Sequence, residues 1–248
     1  MSVVLSVKKL QFTYYGEKIF KNVNFSLSEG NLLFICGLSG HGKSTLLRLL
    51  IGLEKPDSGS IRIFNQDINQ LPEDEFNRLK SRVGFVFQNS ALLSTLTVEN
   101  NLKLPLVYHN LASRDEIEEM IENTLEKLLL KEHRHKFPGE LSLGLQKRTA
   151  MARAIITNPS MIFMDEPTTG LDSISRGVYL SLIENVRILN NVAMIMVTND
   201  LLIAREMGGE IGILKDGILL EPMAYQQLKN SPDRFVQALL EEEKLRSA

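Results

Sequence analysis

Residues 32–52 read LLFICGLSGHGKSTLLRLLIG, and the way this stretch divides decides the fold. Leu32–Cys36 is a short, wholly apolar run of the kind that forms a strand buried on both faces. Gly37 to Thr45 has the spacing G-x-x-x-x-G-K-[ST]. The residues after it, STLLRLL, read as a helix that ends at Gly52. Strand, glycine-rich turn and helix, in that order, is the context in which this spacing binds phosphate. The glycines let main-chain N–H groups turn inward around phosphate oxygens, and the helix N-terminus adds a favourable dipole. Gly37, Leu38, Ser39, Gly40, His41, Gly42, Lys43, Ser44 and Thr45 are therefore the expected phosphate cradle. Lys43 would bring a mobile positive charge to the terminal phosphates, and Ser44 a hydroxyl to Mg²⁺.

Working outward, short apolar or alternating runs at Val3–Val7 and Val23–Leu27 predict strands separated by the polar turns YYGEK and LSEGN. KPDSGS reads as a turn, SIRIF as a strand, PEDEFNRLK as a short helix with acids in its first turn, and RVGFVF as another strand. From about Thr97 to Ile156 the pattern is helical. Ile117, Met120, Ile121, Thr124/Leu125 and Leu128 recur at three- and four-residue spacing, behind a Ser113–Glu116 capping box. After Pro159 the strands return as MIFM, NVAMIMV and EIGIL, with a helix between the first two. KDGILLE reads as a hairpin turn with its second strand, and SPDRFVQALLEEEKLRS as a capped helix. Apolar strands alternating with helices predict an α/β body with a parallel sheet, and the helical middle reads as an insertion into it.

MIFMDEP, Met161 to Pro167, places two carboxylates at a strand's C-terminal end, where open α/β sheets bind ligands. Asp165 suits an Mg²⁺ held through water, and Glu166 can orient or deprotonate an attacking water. The bulk properties agree with one packed domain, or one with subdomains: 248 residues, 44% hydrophobic and 23% charged. The single cysteine, Cys36, excludes an intrachain disulfide and reads as a small buried hydrophobe. The four histidines show no metal spacing. A net charge of −2 and the lack of a basic tail argue against a nucleic-acid partner. The N-terminus lacks the layout of a signal peptide, and no apolar run approaches the ~20 residues that span a bilayer.

Beyond these readings the chain resembles the nucleotide-binding subunits of ABC transporters, over nearly its whole length. DEPTTGLDS (Asp165–Ser173) carries the resemblance most strongly. The resemblance implies a P-loop NTPase (RecA-like) core with a mostly parallel sheet, an N-terminal antiparallel β subdomain and an inserted α-helical subdomain. The expected division is β-rich 1–35 and 59–87 around a P-loop core 32–52, helical 97–156, core completion 157–230 and a C-terminal helix 231–248. It further implies ATP and Mg²⁺ as ligands, with Ser44, Gln88 and Asp165 toward the metal, Glu166 as catalytic carboxylate and Tyr15 stacking on adenine. Gln88 would also sense the transmembrane partner, and Asp172 would communicate across a dimer.

Two departures stand out. LSLGLQKR (Leu141–Arg148) occupies the place of the family's LSGGQ signature. Ser142 and Gly144 match, but Leu145 replaces the glutamine, and Leu143 replaces the first glycine and would be strained if the position needs φ > 0. Asn199, in VTND, stands where the family places a switch histidine, and an amide can neither carry a proton nor a positive charge. The resemblance implies pairing with a second nucleotide-binding domain, a homodimer by expectation, and with permease subunits at the cytoplasmic face of the inner membrane. The stretch Asn89–Leu106 is the expected receiver of a permease coupling helix. FQNSALLSTLTVENNLKLPL and NSPDRFVQALLEE resemble ATPases of MCE/Mla-type lipid transporters, which implies an MCE-type substrate-binding protein as a further partner. VTNDLLIARE resembles instead the lipoprotein-release and macrolide-export group. A slowly hydrolysing nucleotide switch is the alternative motivated by Leu143 and Asn199.

Overall fold

The structure is a computed structural model and describes residues 2–247. The chain opens with strands β1 (Val3–Tyr14), β2 (Glu17–Ser28) and β3 (Leu32–Cys36), helix α1 (Lys43–Leu50), and strands β4 (Ser58–Ile63) and β5 (Gln66–Asp67). Helix α2 (Glu73–Lys80), strand β6 (Val83–Val86), and helices α3 (Val98–Tyr108), α4 (Arg114–Lys127) and α5 (Leu143–Ile155) follow. Next come β7 (Met161–Asp165), α6 (Ser173–Asn190), β8 (Ala193–Thr198), α7 (Leu201–Met207) and β9 (Glu210–Lys215). The last elements are β10 (Ile218–Leu219), β11 (Met223–Ala224), α8 (Tyr225–Lys229) and α9 (Arg234–Ser247). The chain forms two compact units, Met1–Leu71 with Ala193–Ala248, and Pro72–Val192.

The first unit contains two sheets. β1 pairs antiparallel with β2 and with β4, and β4 with β5. β3 lies between β8 and β9, parallel to both, with Cys36 level with Thr198 on one side and with Ile213 on the other. β3 is buried at every residue, so neither of its faces meets water, which is why its sequence shows no polar alternation. β10 and β11 add to β9 antiparallel. Cys36 is 1% exposed, the buried hydrophobe its setting predicts.

The second unit pairs β6 with β7 in parallel, Val86 level with Met164. α5 packs on β6 and on α3 and α6. α4 forms as its pattern predicts. The Ser113 hydroxyl accepts from the Glu116 N–H, and the Glu116 carboxylate accepts from the Ser113 N–H at 2.7 Å. Ile117, Ile121, Thr124, Leu125 and Leu128 are buried. Arg134 ties the first turn of α3 to the middle of α4, through Glu99 at 2.8 Å, Glu118, and Glu122 at 3.4 Å. That contact holds the Glu99 carboxyl below its ordinary range, chiefly through the Arg134 hydrogen bond.

The boundaries differ from expectation where main-chain pairing outweighs composition. β1 runs to Tyr14, well past Val7, because Leu10 and Phe12 continue the buried face and pair with Val23 and Phe20 of β2, while Thr13 pairs with Lys18 and Gln11 with Ser58 of β4. β4 begins at Ser58, inside the expected turn KPDSGS, because Ser58 pairs with Gln11. Replacing Ser113 by alanine removes the cap of α4 and should lower stability by about 0.5–2 kcal/mol. Urea unfolding followed by circular dichroism checks this, a midpoint equal to that of the unaltered chain being the contrary result.

Candidate functional site

In the first unit, the loop after β3 turns at Gly40 and Gly42, both left-handed with φ of 82° and 86°. Gly42 caps α1, and a Cβ there would stand 2.8 Å from the Ile19 Cγ2, so the turn needs glycine for space and for dihedral alike. Lys43 is 6% exposed, and its Nζ donates to the carbonyls of Gly37 and Leu38 at 2.9 Å each. Those bonds seat the ammonium inside the curve of the loop, with Ser44 and Thr45 in the first turn of α1. The arrangement of left-handed glycines, cation and helix N-terminus fits a polyphosphate.

The parallel register of β3 and β8 brings the ends of both strands to one edge, so Asn199 follows Thr198 as Gly37 follows Cys36. The Asn199 Nδ2 donates to the Ser39 Oγ at 3.1 Å. Asn199 thus touches the glycine-rich loop directly. Its position is held from the next residue, since the Asp200 carboxylate caps α7 by accepting from the Leu202 N–H at 2.9 Å. Tyr15 sits at the β1–β2 turn with φ of 46° and is 94% exposed, its ring edge-on to Tyr14 at 4.6 Å. Tyr14 is 46% exposed and also approaches Phe12, so Tyr15 offers the more open ring. A cleft of about 430 Å³ opens beside the loop, lined by Glu17, Lys18, Lys21, Gly40 and His41. The His41 ring stacks on Phe235 at 5.9 Å, a contact the sequence does not announce.

In the second unit, β7 delivers Asp165 and Glu166 half-buried at its C-terminal end. Glu166 is left-handed with φ of 44°, a conformation that costs a non-glycine residue about 1 kcal/mol or more. Its carboxylate accepts from the Thr169 hydroxyl at 3.3 Å. The β6–β7 register sets Gln88 on the same edge as these carboxylates. Asp172 caps α6, accepting from the Ser175 N–H at 2.8 Å and the Ser175 hydroxyl at 2.7 Å. These bonds, the main-chain one foremost, hold its carboxyl below the usual range. Ser142 caps α5 by accepting from the Leu145 N–H at 3.4 Å.

Leu143 is the first residue of α5 in ordinary helical conformation, so the strain expected at this position does not arise. Its side chain occupies space that Gly170 leaves open: a Cβ on Gly170 would stand 2.8 Å from the Leu143 Cδ2. Gly144 likewise faces Ser175, so the starts of α5 and α6 lie together. Lys147 is the residue that motif reading missed. It is 1% exposed and its Nζ donates to the Gln88 carbonyl. Burial pushes its pKa below the ordinary lysine value, while the Glu166 and Asp165 carboxylates oppose that shift. The available signal was periodicity, since Lys147 lies three residues before Ala150 and four before Met151, on the buried face.

Residues 20–169, more than half of the chain, match the model of the ABC transporter family. The chain belongs to that family. This ABC cassette is 34% identical to the intermembrane phospholipid transport system ATP-binding protein MlaF of Haemophilus influenzae, over 95% of the chain and 90% of the relative. It is 30% identical to the methionine import ATP-binding protein MetN 1 of Acinetobacter baylyi, over 97% of the chain and 69% of the relative. Against MetN 2 of Paraburkholderia xenovorans, at 34% identity, the cassette spans 52% of the relative's length. Among solved structures, a post-hydrolysis dimer of the cassette MJ0796 bound to ADP and Pi superposes with a TM-score of 0.81. It is 34% identical, over 89% of this chain and 98% of that one. The cassette is an ATP-binding ATPase of α/β fold.

The Leu143–Gly170 contact predicts a coupled pair. Gly170→Ala should destabilise by about 1–3 kcal/mol, from the left-handed dihedral and from crowding Leu143. Adding Leu143→Ala should recover the crowding part and leave the dihedral part. A double-mutant cycle in urea checks this, and strict additivity would argue against the contact.

Proposed function

We propose that this cassette hydrolyses ATP to power a membrane transporter of lipids, phospholipid or sterol-like, across a bacterial envelope. The observation that carries the lipid assignment is the likeness to MlaF, which extends over nearly the full length of both chains. The similar identity to MetN proteins favours a second reading, a cassette serving a small polar solute. Lipoprotein-release or macrolide-export transport, supported by VTNDLLIARE and by a shared TVENNLKLPL-type run, and a slowly hydrolysing nucleotide switch, motivated by Leu143 and Asn199, are the remaining alternatives.

In this reading Gly37–Thr45 cradle the phosphates, Lys43 neutralises their charge, and Tyr15 stacks on the base. Mg²⁺, when bound, neutralises charge developing on the phosphate oxygens. By the family resemblance, Ser44, Asp165 and Gln88 are the residues of this chain that would serve it. Glu166 orients the attacking water and accepts its proton, and Asn199 supplies an amide hydrogen bond where a histidine would add charge. Ser142 and Gly144 present the N-terminus of α5 to nucleotide on a second copy, and Asp172 serves the same interface.

Among the described residues no helix is long and apolar enough to cross a membrane, so permease subunits would supply the spanning segments. A groove of about 450 Å³ lined by Phe87, Leu104, Pro105, Tyr108 and Lys80 suits an apolar coupling element from them. Leu104 is 43% and Tyr108 72% exposed there. The cassette would then sit peripherally on the cytoplasmic face, beside an MCE-type protein.

Glu166→Gln should lower phosphate release by about 100-fold or more while leaving ATP binding intact. Residual turnover equal to that of the unaltered chain would remove Glu166 from its role. Asn199→His should raise turnover about five-fold, the effect of roughly 1 kcal/mol on the barrier. An unchanged or lower rate would count against the charge argument. Copurification of the intact complex, with mass analysis of each subunit and of extracted lipid, tests the substrate class. Recovery with a methionine-binding subunit in place of an MCE-type one would overturn it.

A further inference from the structure

α5 carries two buried or half-buried cations, six residues apart, that serve the same short turn. Lys147 donates to the Gln88 carbonyl. Arg153 spreads its guanidinium over the next carbonyls, with Nη1 2.7 Å from the Ala91 oxygen and Nη2 3.0 Å from the Ser90 oxygen. The turn they hold is costly in itself. Ser90 and Ala91 are consecutive left-handed residues, with φ of 62° and 45°, and neither is glycine. Each such residue is disfavoured by contact of its Cβ with main-chain oxygen. Within the turn, the Ser90 N–H reaches the Phe87 carbonyl at 3.0 Å and the Ala91 N–H the Asn89 carbonyl at 2.7 Å. These local bonds leave the outward carbonyls of 88, 90 and 91 to the two cations. Hydrogen bonds from an ionised donor are about twice as strong as neutral ones, enough to hold a turn that its own residues disfavour.

The placement of the two cations gives the turn a direction. Lys147 lies one turn from the N-terminus of α5 and donates to the carbonyl of Gln88 itself. Arg153 lies in the last turn and lines the groove beside Phe87 and Leu104. We propose that Lys147 and Arg153 form a two-point strap that makes the 88–91 turn move with α5 as one body. The strap carries a displacement at the Ser142–Leu145 end of α5 to Gln88 and to the groove. This rests on the reading of Ser142 and Gly144 as the residues that meet nucleotide on a second copy. Lys147 and Arg153 are positioning residues here, acting through the turn and not on the substrate.

Amide hydrogen exchange by mass spectrometry on the full chain tests the strap and the transmission separately. The unaltered chain, Lys147→Gln, Arg153→Gln, the double variant and Arg153→Lys are compared with and without Mg·ATP. Without nucleotide, the double variant should exchange about tenfold faster at 88–91, with α4 unchanged. Arg153→Lys should fall between, because an ammonium cannot span two carbonyls as a guanidinium does. Equal exchange at 88–91 in all variants overturns the strap. With Mg·ATP, the comparison is made in a Gln88→Ala background, which keeps the strapped carbonyl and removes the amide offered to the metal: the otherwise unaltered chain should slow at both 142–146 and 88–91, and the double variant at 142–146 alone. A double variant that still slows at 88–91 overturns the transmission. An unaltered chain in which 142–146 does not respond to Mg·ATP overturns the nucleotide reading of Ser142 and Gly144, while the nucleotide-free comparison still decides the strap. Faster exchange in α4 would mark general loosening of the double variant, and Arg153→Lys then decides alone: exchange at 88–91 equal to the unaltered chain's overturns the strap.

Discussion

The parallel registers of the strands are the constraint on which the chemistry depends. A parallel pair ends its strands on one edge, so residues distant in sequence meet there without any contact designed between them. In the first unit, the pairing of Cys36 with Thr198 sets the glycine-rich loop beside Asn199. In the second, the pairing of Val86 with Met164 sets Gln88 beside Asp165 and Glu166. A slip of one residue in either register would turn every side chain of that strand to the opposite face and misplace the pair. β3, β7 and β8 present almost nothing but apolar side chains on both faces, so alternation does not fix their register; the fit of side-chain shapes in a close-packed interior does.

The left-handed residues show where this order is strained. Glu166, Ser90 and Ala91 all follow strand ends, and all adopt a conformation their side chains disfavour. Each is restrained from outside its own dihedral, Glu166 by the Thr169 hydroxyl and the 90–91 turn by Arg153. Strain held in place by neighbours is a means of aiming a group that an unstrained main chain would point elsewhere. The departures at the signature stretch follow the same logic in reverse. Leu143 is accommodated without strain because Gly170 gives it room.

Much of this was legible in the sequence because the signals for it are local. The glycine-rich loop, the Ser113 cap and the apolar face of α4 are each contained within a few consecutive turns. The hydrogen bond from Asn199 to Ser39 was not legible, because it depends on a strand register that only the folded sheet sets. The burial of Lys147 was hidden for another reason. In LQKR a lysine beside an arginine reads as a solvated basic run, and only helical phase places it inward. The length of β1 was underestimated because polar residues can be held in a strand by main-chain pairing alone. The expected roles of Lys43, Ser44, Asp165 and Glu166 came from spacing and strand-end position, those of Tyr15, Gln88, Asp172 and Asn199 from resemblance, and the structure adds the local geometry within each unit.

The position of β3 has a consequence for how the chain is made. Its two neighbours, β8 and β9, come from the last part of the sequence. On the ribosome, LLFIC therefore emerges long before either partner exists, and it waits as an apolar strand with both edges open. Long-range parallel pairing is slow to form and exposed to aggregation while it waits. The strand that anchors nucleotide chemistry in the finished molecule is thus among the most vulnerable segments of the nascent one, and folding of the first unit is a late event in synthesis.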